Sequence, residues 1–124
     1  MEQSDVRFKT DLKQRCYAFS LAIIKITDGL PQKRSAWVIS DQLIRSATSI
    51  GANLVEAKAS SSRLEFKKFY EISLKSANET KYWLGLLRDT DMSDKEKVAV
   101  LLIEVTELSN MIAASVLSLK QRKF

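Results

Sequence analysis

The sequence predicts an all-α fold, an antiparallel up-down-up-down bundle of four long helices forming one domain over residues 1–124. Three observations favour this fold. Apolar residues recur every three or four positions, the period of a helix with one buried face. The chain has only three Gly and one Pro, whereas a β-sandwich needs many more turn residues. Three short breaks separate four long segments, and helices joined by short connections lie antiparallel to their neighbours.

The first two helices are predicted at about residues 4–27 and 35–58. Gly29 followed by Pro31 ends the first, because Gly is common just past a helix and Pro cannot continue one. The second helix has an alternative start one turn later, at Ser40. The apolar stripes are Phe8, Leu12, Cys16, Phe19, Ile23 and Ile26 on the first helix, and Ile39, Leu43, Ala47, Ile50 and Leu54 on the second.

The last two helices are predicted at about residues 62–88 and 93–122. Each begins with the pattern of a capping box, in which a hydroxyl accepts from a backbone N–H and a carboxylate three residues later reaches back. The pairs are Ser62 with Glu65 and Ser93 with Glu96. The stripes are Phe66, Tyr70, Ser73, Ala77, Thr80, Leu84 and Leu87, then Val98, Leu101, Val105, Leu108, Ile112, Val116 and Leu119.

Small side chains on the second and third helices predict a close helix–helix contact. Ala47, Gly51 and Ala52 lie on the second helix, and Ser73 and Ala77 on the third. Facing small residues bring two helices to the short end of the usual interaxial range of about 8–10 Å. A mid-helix Gly costs about 1 kcal/mol relative to Ala, and close packing is a sufficient offset.

Three polar residues of the second helix, Arg45, Asn53 and Glu56, are separated by nearly whole turns and therefore share one side. One interpretation is a polar pocket that holds an acid and a base. The preferred interpretation is structural, because buried polar groups need hydrogen-bond partners and so fix the register of a neighbouring helix.

Three helices carry apolar residues beyond the face that one bundle buries, which predicts a homo-oligomer. The alternative is a wide core with scattered surface residues. The additional residues are Tyr17, Leu21 and Ile24, then Trp37, Ile44 and Val55, then Val100, Ile103, Met111 and Leu117.

The net charge of +5 is unevenly distributed. Residues 1–88 hold 15 Lys and Arg against nine Asp and Glu, while residues 89–124 hold five against six. RNA or DNA is therefore a candidate partner, with an incidental soluble cationic surface as the alternative. The candidate contacts are Lys33, Arg34, Lys58, Arg63, Lys67 and Lys68, of which the last four form one local group.

No enzymatic site is predicted. The chain has no His, which removes the commonest general base and most zinc sites, and no phosphate-binding Gly loop or metal-ligand spacing is present. We therefore expect neither a metal nor a cofactor. Cys16, the only cysteine, lies on an apolar stripe and is interpreted as a core thiol. No apolar run approaches the roughly 20 residues of a membrane span, and a cytoplasmic location is expected.

The stretch Gln42-Leu43-Ile44-Arg45-Ser46-Ala47-Thr48-Ser49-Ile50, followed by Asn53-Leu54-Val55-Glu56-Ala57, resembles the signature of four-helix-bundle proteins encoded in intervening sequences of bacterial 23S rRNA genes. Their superfamily also contains the accessory variability determinant of diversity-generating retroelements. The resemblance spans about residues 8–88 and continues through Phe66, Phe69, Tyr70, Ser76, Glu79 and Leu84.

The resemblance implies a ring-like homopentamer and no enzymatic activity. For the accessory branch it also implies binding to nucleic acid and to a reverse transcriptase. Gly51 stands where intervening-sequence proteins usually have Pro, and Ala57 where they usually have Gly. The ending Asn-Leu-Val-Glu-Ala is nearer the accessory branch, but the motif leaves both branches open.

Overall fold

The computed structural model describes the backbone of residues 2–121 and the side chains of residues 12–121. This part of the chain consists of four long helices and contains no strand. The predicted stripe residue Phe8 lies outside the described side chains. The helices are α1 (Glu2–Asp28), α2 (Arg34–Lys58), α3 (Arg63–Asp89) and α4 (Lys95–Lys120).

The helix ends follow the predicted signals in part. α2 begins at Arg34, so the alternative start at Ser40 is wrong. Gly29 follows α1, but its φ is not positive; its N–H donates to the carbonyl of Ile26 in a tightened last turn. Asp91 lies in the loop between α3 and α4. Among the described residues other than glycine, it alone has a positive φ, 56°, a conformation that Asp tolerates better than most residues.

One capping prediction is confirmed and the other is wrong. Ser62 accepts from the N–H of Glu65 at 3.1 Å, and the Glu65 carboxylate accepts from the N–H of Ser61. At α4 the capping residue is Asp94 rather than Ser93, and its carboxylate accepts from the N–H groups of Glu96 and Lys97. A carboxylate one residue later in the chain displaces the hydroxyl because it is the stronger acceptor for backbone N–H groups.

The core contains residues from all four predicted stripes. Cys16 is 1% exposed, which confirms its interpretation as a core thiol. Phe66 and Tyr70 are only half-buried and stack on each other with ring centroids 4.8 Å apart. Residues that are completely enclosed include Ile23, Leu43, Ile50, Leu84, Leu87, Val98, Val105, Leu108 and Ile112.

The contact between α2 and α3 is lined by small residues, as predicted, and is held by hydroxyl groups. Ser73 donates to the backbone carbonyl of Ile50 at 2.8 Å. The hydroxyls of Thr80 and Ser46 lie 2.9 Å apart. A third such pair, Ser76 with Ser49, is 2.8 Å apart. The partners run in opposite residue order along the two helices, and Ala47 and Ala77 are completely buried beside them.

Two residues assigned to this contact lie elsewhere. Gly51 faces α1 rather than α3, because a Cβ added to it would lie 3.1 Å from the Cβ of Cys16. Ala52 is exposed and takes no part in the packing. Successive helical residues are about 100° apart, so the turn that buries Ile50 against α3 directs Gly51 to a different neighbour and Ala52 to solvent.

By length and composition alone, α4 is able to cross a membrane, with a mean hydropathy of 1.6 over its most apolar 18-residue window. A core helix of a soluble protein passes the same test. In this structure α4 buries the stripe from Val98 to Leu119 against the other helices, but only 33% of that window is buried, and Val100, Ile103 and Leu117 are exposed.

Candidate nucleic-acid interface

Four cations lie around the loop that joins α2 to α3. Lys58 is the last residue of α2 and Arg63 the first of α3, while Lys67 and Lys68 follow one turn later. Lys58, Arg63 and Lys68 are exposed and Lys67 is half-buried. The loop is held by the Ser62 cap and by the Glu65 carboxylate on the N–H of Ser61. We call the group Lys58, Arg63, Lys67 and Lys68 the basic end.

A fifth cation, Lys13 of α1, extends this group. Its ammonium interacts directly with that of Lys58, and its pKa is lowered, first by partial desolvation and then by the charge of Lys58. Lys13 was not among the contacts predicted from the sequence, and it lies 45 positions from Lys58 in the chain. The pairing of α1 with α2 could have indicated it, since a residue near the start of α1 meets the end of an antiparallel α2.

Carboxylates near the basic end are partly engaged. Glu71 of α3 lies 3.8 Å from the ammonium of Lys120 at the end of α4, so cations from all four helices lie at this end of the fold. The carboxylate of Glu65 is bound to the loop backbone. Glu56, two residues before Lys58, is a third carboxylate and is exposed. The described cations of this end still outnumber these three carboxylates, so its net charge is positive.

Lys33 and Arg34 are exposed but lie at the opposite end of α2. With a rise of 1.5 Å per residue, a helix from Arg34 to Lys58 is about 36 Å long. The structure therefore does not bring Lys33 and Arg34 into the basic end, and the six predicted cations form two separate groups.

Arg45 links α2 to α3, as the structural interpretation of the polar set requires. Its guanidinium donates to the carboxylate of Glu79 on α3 and to Gln42 on its own helix. Glu79 also accepts from the indole N–H of Trp83 at 2.9 Å. Arg45 and Glu79 both belong to the stretches that carry the family resemblance, so the signature residues here serve helix packing.

The other two members of the polar set do not pair with α3. Asn53 is half-buried and donates to the carbonyl and the hydroxyl of Ser49 on its own helix. Glu56 is exposed. The spacings between the three residues are not whole numbers of helical turns, so their side chains point in different directions around the helix axis. Arg45, Asn53 and Glu56 therefore form no acid–base pocket.

An ion pair that the sequence analysis missed connects α1 to α4. Arg15 donates to both carboxylate oxygens of Glu104, at 3.0 and 2.7 Å, and to Glu107 at 2.9 Å. These hydrogen bonds raise the pKa of Arg15. Arg15 lies beside an apolar stripe and 89 positions from Glu104, so no local pattern indicates the pair.

An open groove with a volume of about 660 Å³ lies between α1 and the start of α4. Its floor includes Ile26, Met92 and Leu101. Its carboxylates have other partners: Asp91 is 3.1 Å from Lys95, and Asp94 caps α4. Among the described residues, no group of three or more His, Cys, Asp or Glu could hold a metal ion.

Apolar side chains remain on the outside of the fold. Ile44 and Met111, predicted at the oligomer edges, pack against the core instead. The rest of the predicted edge residues are exposed, with Tyr17 at 70% and Val100 at 64%. They are Tyr17, Leu21, Ile24, Trp37, Val55, Val100, Ile103 and Leu117.

The fold and the charge distribution define a basic four-helix protein. The chain belongs to the 23S rRNA-intervening sequence protein family, which matches residues 9–114. It is also similar to a solved structure from Bacteroides thetaiotaomicron, a protein of unknown function from the S23 ribosomal protein family. The two chains are 34% identical with a TM-score of 0.79, over 85% of this chain and 97% of the other. No curated protein matches this chain.

Proposed function

We propose that the protein is a non-enzymatic, oligomeric adaptor that binds RNA or DNA with low sequence specificity through the basic end. The observation that carries the proposal is the convergence of Lys58, Arg63, Lys67 and Lys68 around one short loop, with few competing carboxylates. Each phosphate that a cation neutralises releases counterions, and affinity grows with the number of such contacts. We expect no metal or cofactor to take part, and a cytoplasmic location.

Low sequence specificity follows from the kind of side chain at the basic end. Lysine acts as a point charge on a flexible stem and binds phosphates without reading bases. Two aromatic residues, Phe66 and Phe69, adjoin these cations in sequence. Both are half-buried, and Phe66 stacks on Tyr70, which leaves them poorly placed to stack on a base.

We further propose that the four helices form an antiparallel up-down-up-down bundle and that five copies assemble into a ring. The reversed order of the α2–α3 contacts supports the first point. The exposed apolar residues of α1, α2 and α4 support the second, together with the family resemblance. In a pentamer the basic end is repeated five times, and avidity makes individually weak sites effective.

A gel shift with a generic single-stranded RNA tests the binding proposal. The wild type should shift the RNA at about 50 mM salt and lose binding steeply towards about 200 mM. Changing Lys58, Arg63, Lys67 and Lys68 to Glu should abolish the shift while light scattering reports the same oligomer. No shift at low salt would overturn the proposal in favour of a purely protein-binding scaffold.

A reverse transcriptase is the protein partner that we propose for the adaptor, on the strength of the ending Asn53 to Ala57, which is nearer to the retroelement accessory branch. The alternative is a protein encoded within a 23S rRNA gene. A reverse-transcriptase gene beside the coding sequence, and co-purification of the two proteins, would support the first role. A position inside an rRNA gene would contradict it.

A further inference from the structure

Lys13 and Lys58 are held beside each other by the packing of two helices. Cys16 of α1 contacts Gly51 of α2. Lys13 lies three residues before this contact and Lys58 seven residues after it, so their backbones differ in height by about 6 Å. Helical side chains point towards the N-terminus of their own helix. Because α1 and α2 run in opposite directions, the side chain of Lys13 extends towards the level of Lys58, and the side chain of Lys58 extends towards the level of Lys13. The two ammonium groups therefore converge.

Two adjacent ammonium groups repel each other, and neither gains a carboxylate from the described surroundings in the structure. The lowered pKa of Lys13 reflects partial desolvation and this repulsion. A phosphodiester group carries one negative charge and two free oxygens that accept hydrogen bonds. Placed between two ammonium groups, it accepts from both and removes their repulsion.

We propose that Lys13 and Lys58 together bind one backbone phosphate of the nucleic acid, so that the interface extends from the α2–α3 loop onto α1. The inference rests on the proposed function, because it adds a residue and a mode of contact to the same site. It also distinguishes the pair from the other cations of the basic end, which make independent contacts.

The test uses Lys13→Gln with Lys25→Gln as its control. Both residues are exposed lysines on α1, so both changes remove one charge from the same helix, but Lys25 lies near the opposite end of α1 from Lys13. Fluorescence anisotropy with a labelled single-stranded RNA gives the affinity as a function of salt. Circular dichroism and light scattering show whether each variant keeps its fold and assembly.

The expected result is that Lys13→Gln weakens binding by about threefold or more and lowers the slope of log affinity against log salt by about 0.7. Lys25→Gln should change neither. A double-mutant cycle with Lys58→Gln should be non-additive, because the first change already destroys the shared contact. The loss in the double variant should then be smaller than the product of the single losses.

Two results would overturn the inference alone: equal affinities for Lys13→Gln and Lys25→Gln, or additive effects of Lys13→Gln and Lys58→Gln. In both cases the wild type still binds RNA and the basic end still contributes. Absence of binding by the wild type at low salt would overturn the proposed function, and this inference with it.

Discussion

Ser73 of α3 donates its hydroxyl hydrogen to the backbone carbonyl of Ile50 on α2 across a distance of 2.8 Å, with both residues completely buried. A side chain can reach the backbone of a neighbouring helix in this way only where the helices approach closely. The contact therefore shows that small residues set the distance between α2 and α3, and that their hydroxyl groups are satisfied inside the contact.

Ser73→Val should lower the free energy of unfolding by about 1–3 kcal/mol more than Ser118→Val, the same change on α4. Valine at position 73 loses the hydrogen bond and places two methyl groups against α2 where the hydroxyl was. Ser118 is exposed, so its change mainly reports the difference in helix propensity. Urea denaturation monitored by circular dichroism measures both variants, and equal losses would show that α2 and α3 are not closely packed here.

Gly51→Ala and Gly85→Ala form a second matched pair. Both residues lie inside helices, where Ala is favoured over Gly by about 1 kcal/mol. A Cβ at position 85 meets nothing nearer than Arg88, at 4.0 Å, whereas a Cβ at position 51 lies 3.1 Å from the Cβ of Cys16. Gly85→Ala should therefore stabilise the protein and Gly51→Ala should not. Equal stabilisation, measured in the same denaturation experiment, would place Gly51 away from α1.

Arg15→Met tests the ion pair between α1 and α4. The change should cost about 1–3 kcal/mol, because it leaves the partly buried Glu104 without its hydrogen-bond donor. Arg88→Met is the control: Arg88 pairs with Asp89 on the exposed surface, and such pairs contribute little. Arg and Met have similar helix propensities. A thermal melt in which both variants resemble the wild type would contradict the stabilising role of Arg15.

The Cys16 thiol gives the protein a component of stability that depends on pH. Burial, with a smaller contribution from Glu104, raises the pKa of Cys16 to about 11, from its ordinary value of 9.0. The unfolded chain therefore releases this proton first. The stabilisation is complete below about pH 9 and is lost as the pH rises towards 11, by about 2–3 kcal/mol in total.

Cys16→Ala removes this component. The variant is expected to be less stable at neutral pH, because it leaves a small cavity, but its disadvantage should shrink between about pH 9 and pH 11. Denaturation curves of the two proteins across this range measure the difference. A constant difference would show that the thiol has the same pKa in the folded and unfolded chains.

Local patterns predicted the helices because period, turn residues and caps all act over a few positions. The buried positions of α4 from Val98 to Leu119 follow the predicted stripe. The Ser93 cap was wrong because two adjacent residues compete for the same N–H groups, and the sequence alone does not show which of them directly precedes the first helical residue. Gly51 was assigned to the wrong neighbour because its small size indicates close packing without indicating which helix approaches.

The candidate site was predicted only where its residues are close in sequence. Lys58 and Arg63 flank one loop, so the pattern alone placed them together. Lys13 was missed, and so was the pairing of Arg15 with Glu104, because both depend on which side of one helix faces another. Such long-range relationships follow from the packing of the core and leave no signal in a single stretch of sequence.

Phosphate binding by the basic end is tested by comparing two double variants that lose the same charge, Lys58→Gln with Arg63→Gln, and Lys33→Gln with Arg34→Gln. Their affinities for a single-stranded RNA would be measured across a range of salt concentrations. If the basic end binds the phosphates, the first variant loses affinity and its salt slope falls by about 1.4, while the second stays close to the wild type. Equal losses in the two variants would contradict a localised interface and leave only a general cationic attraction.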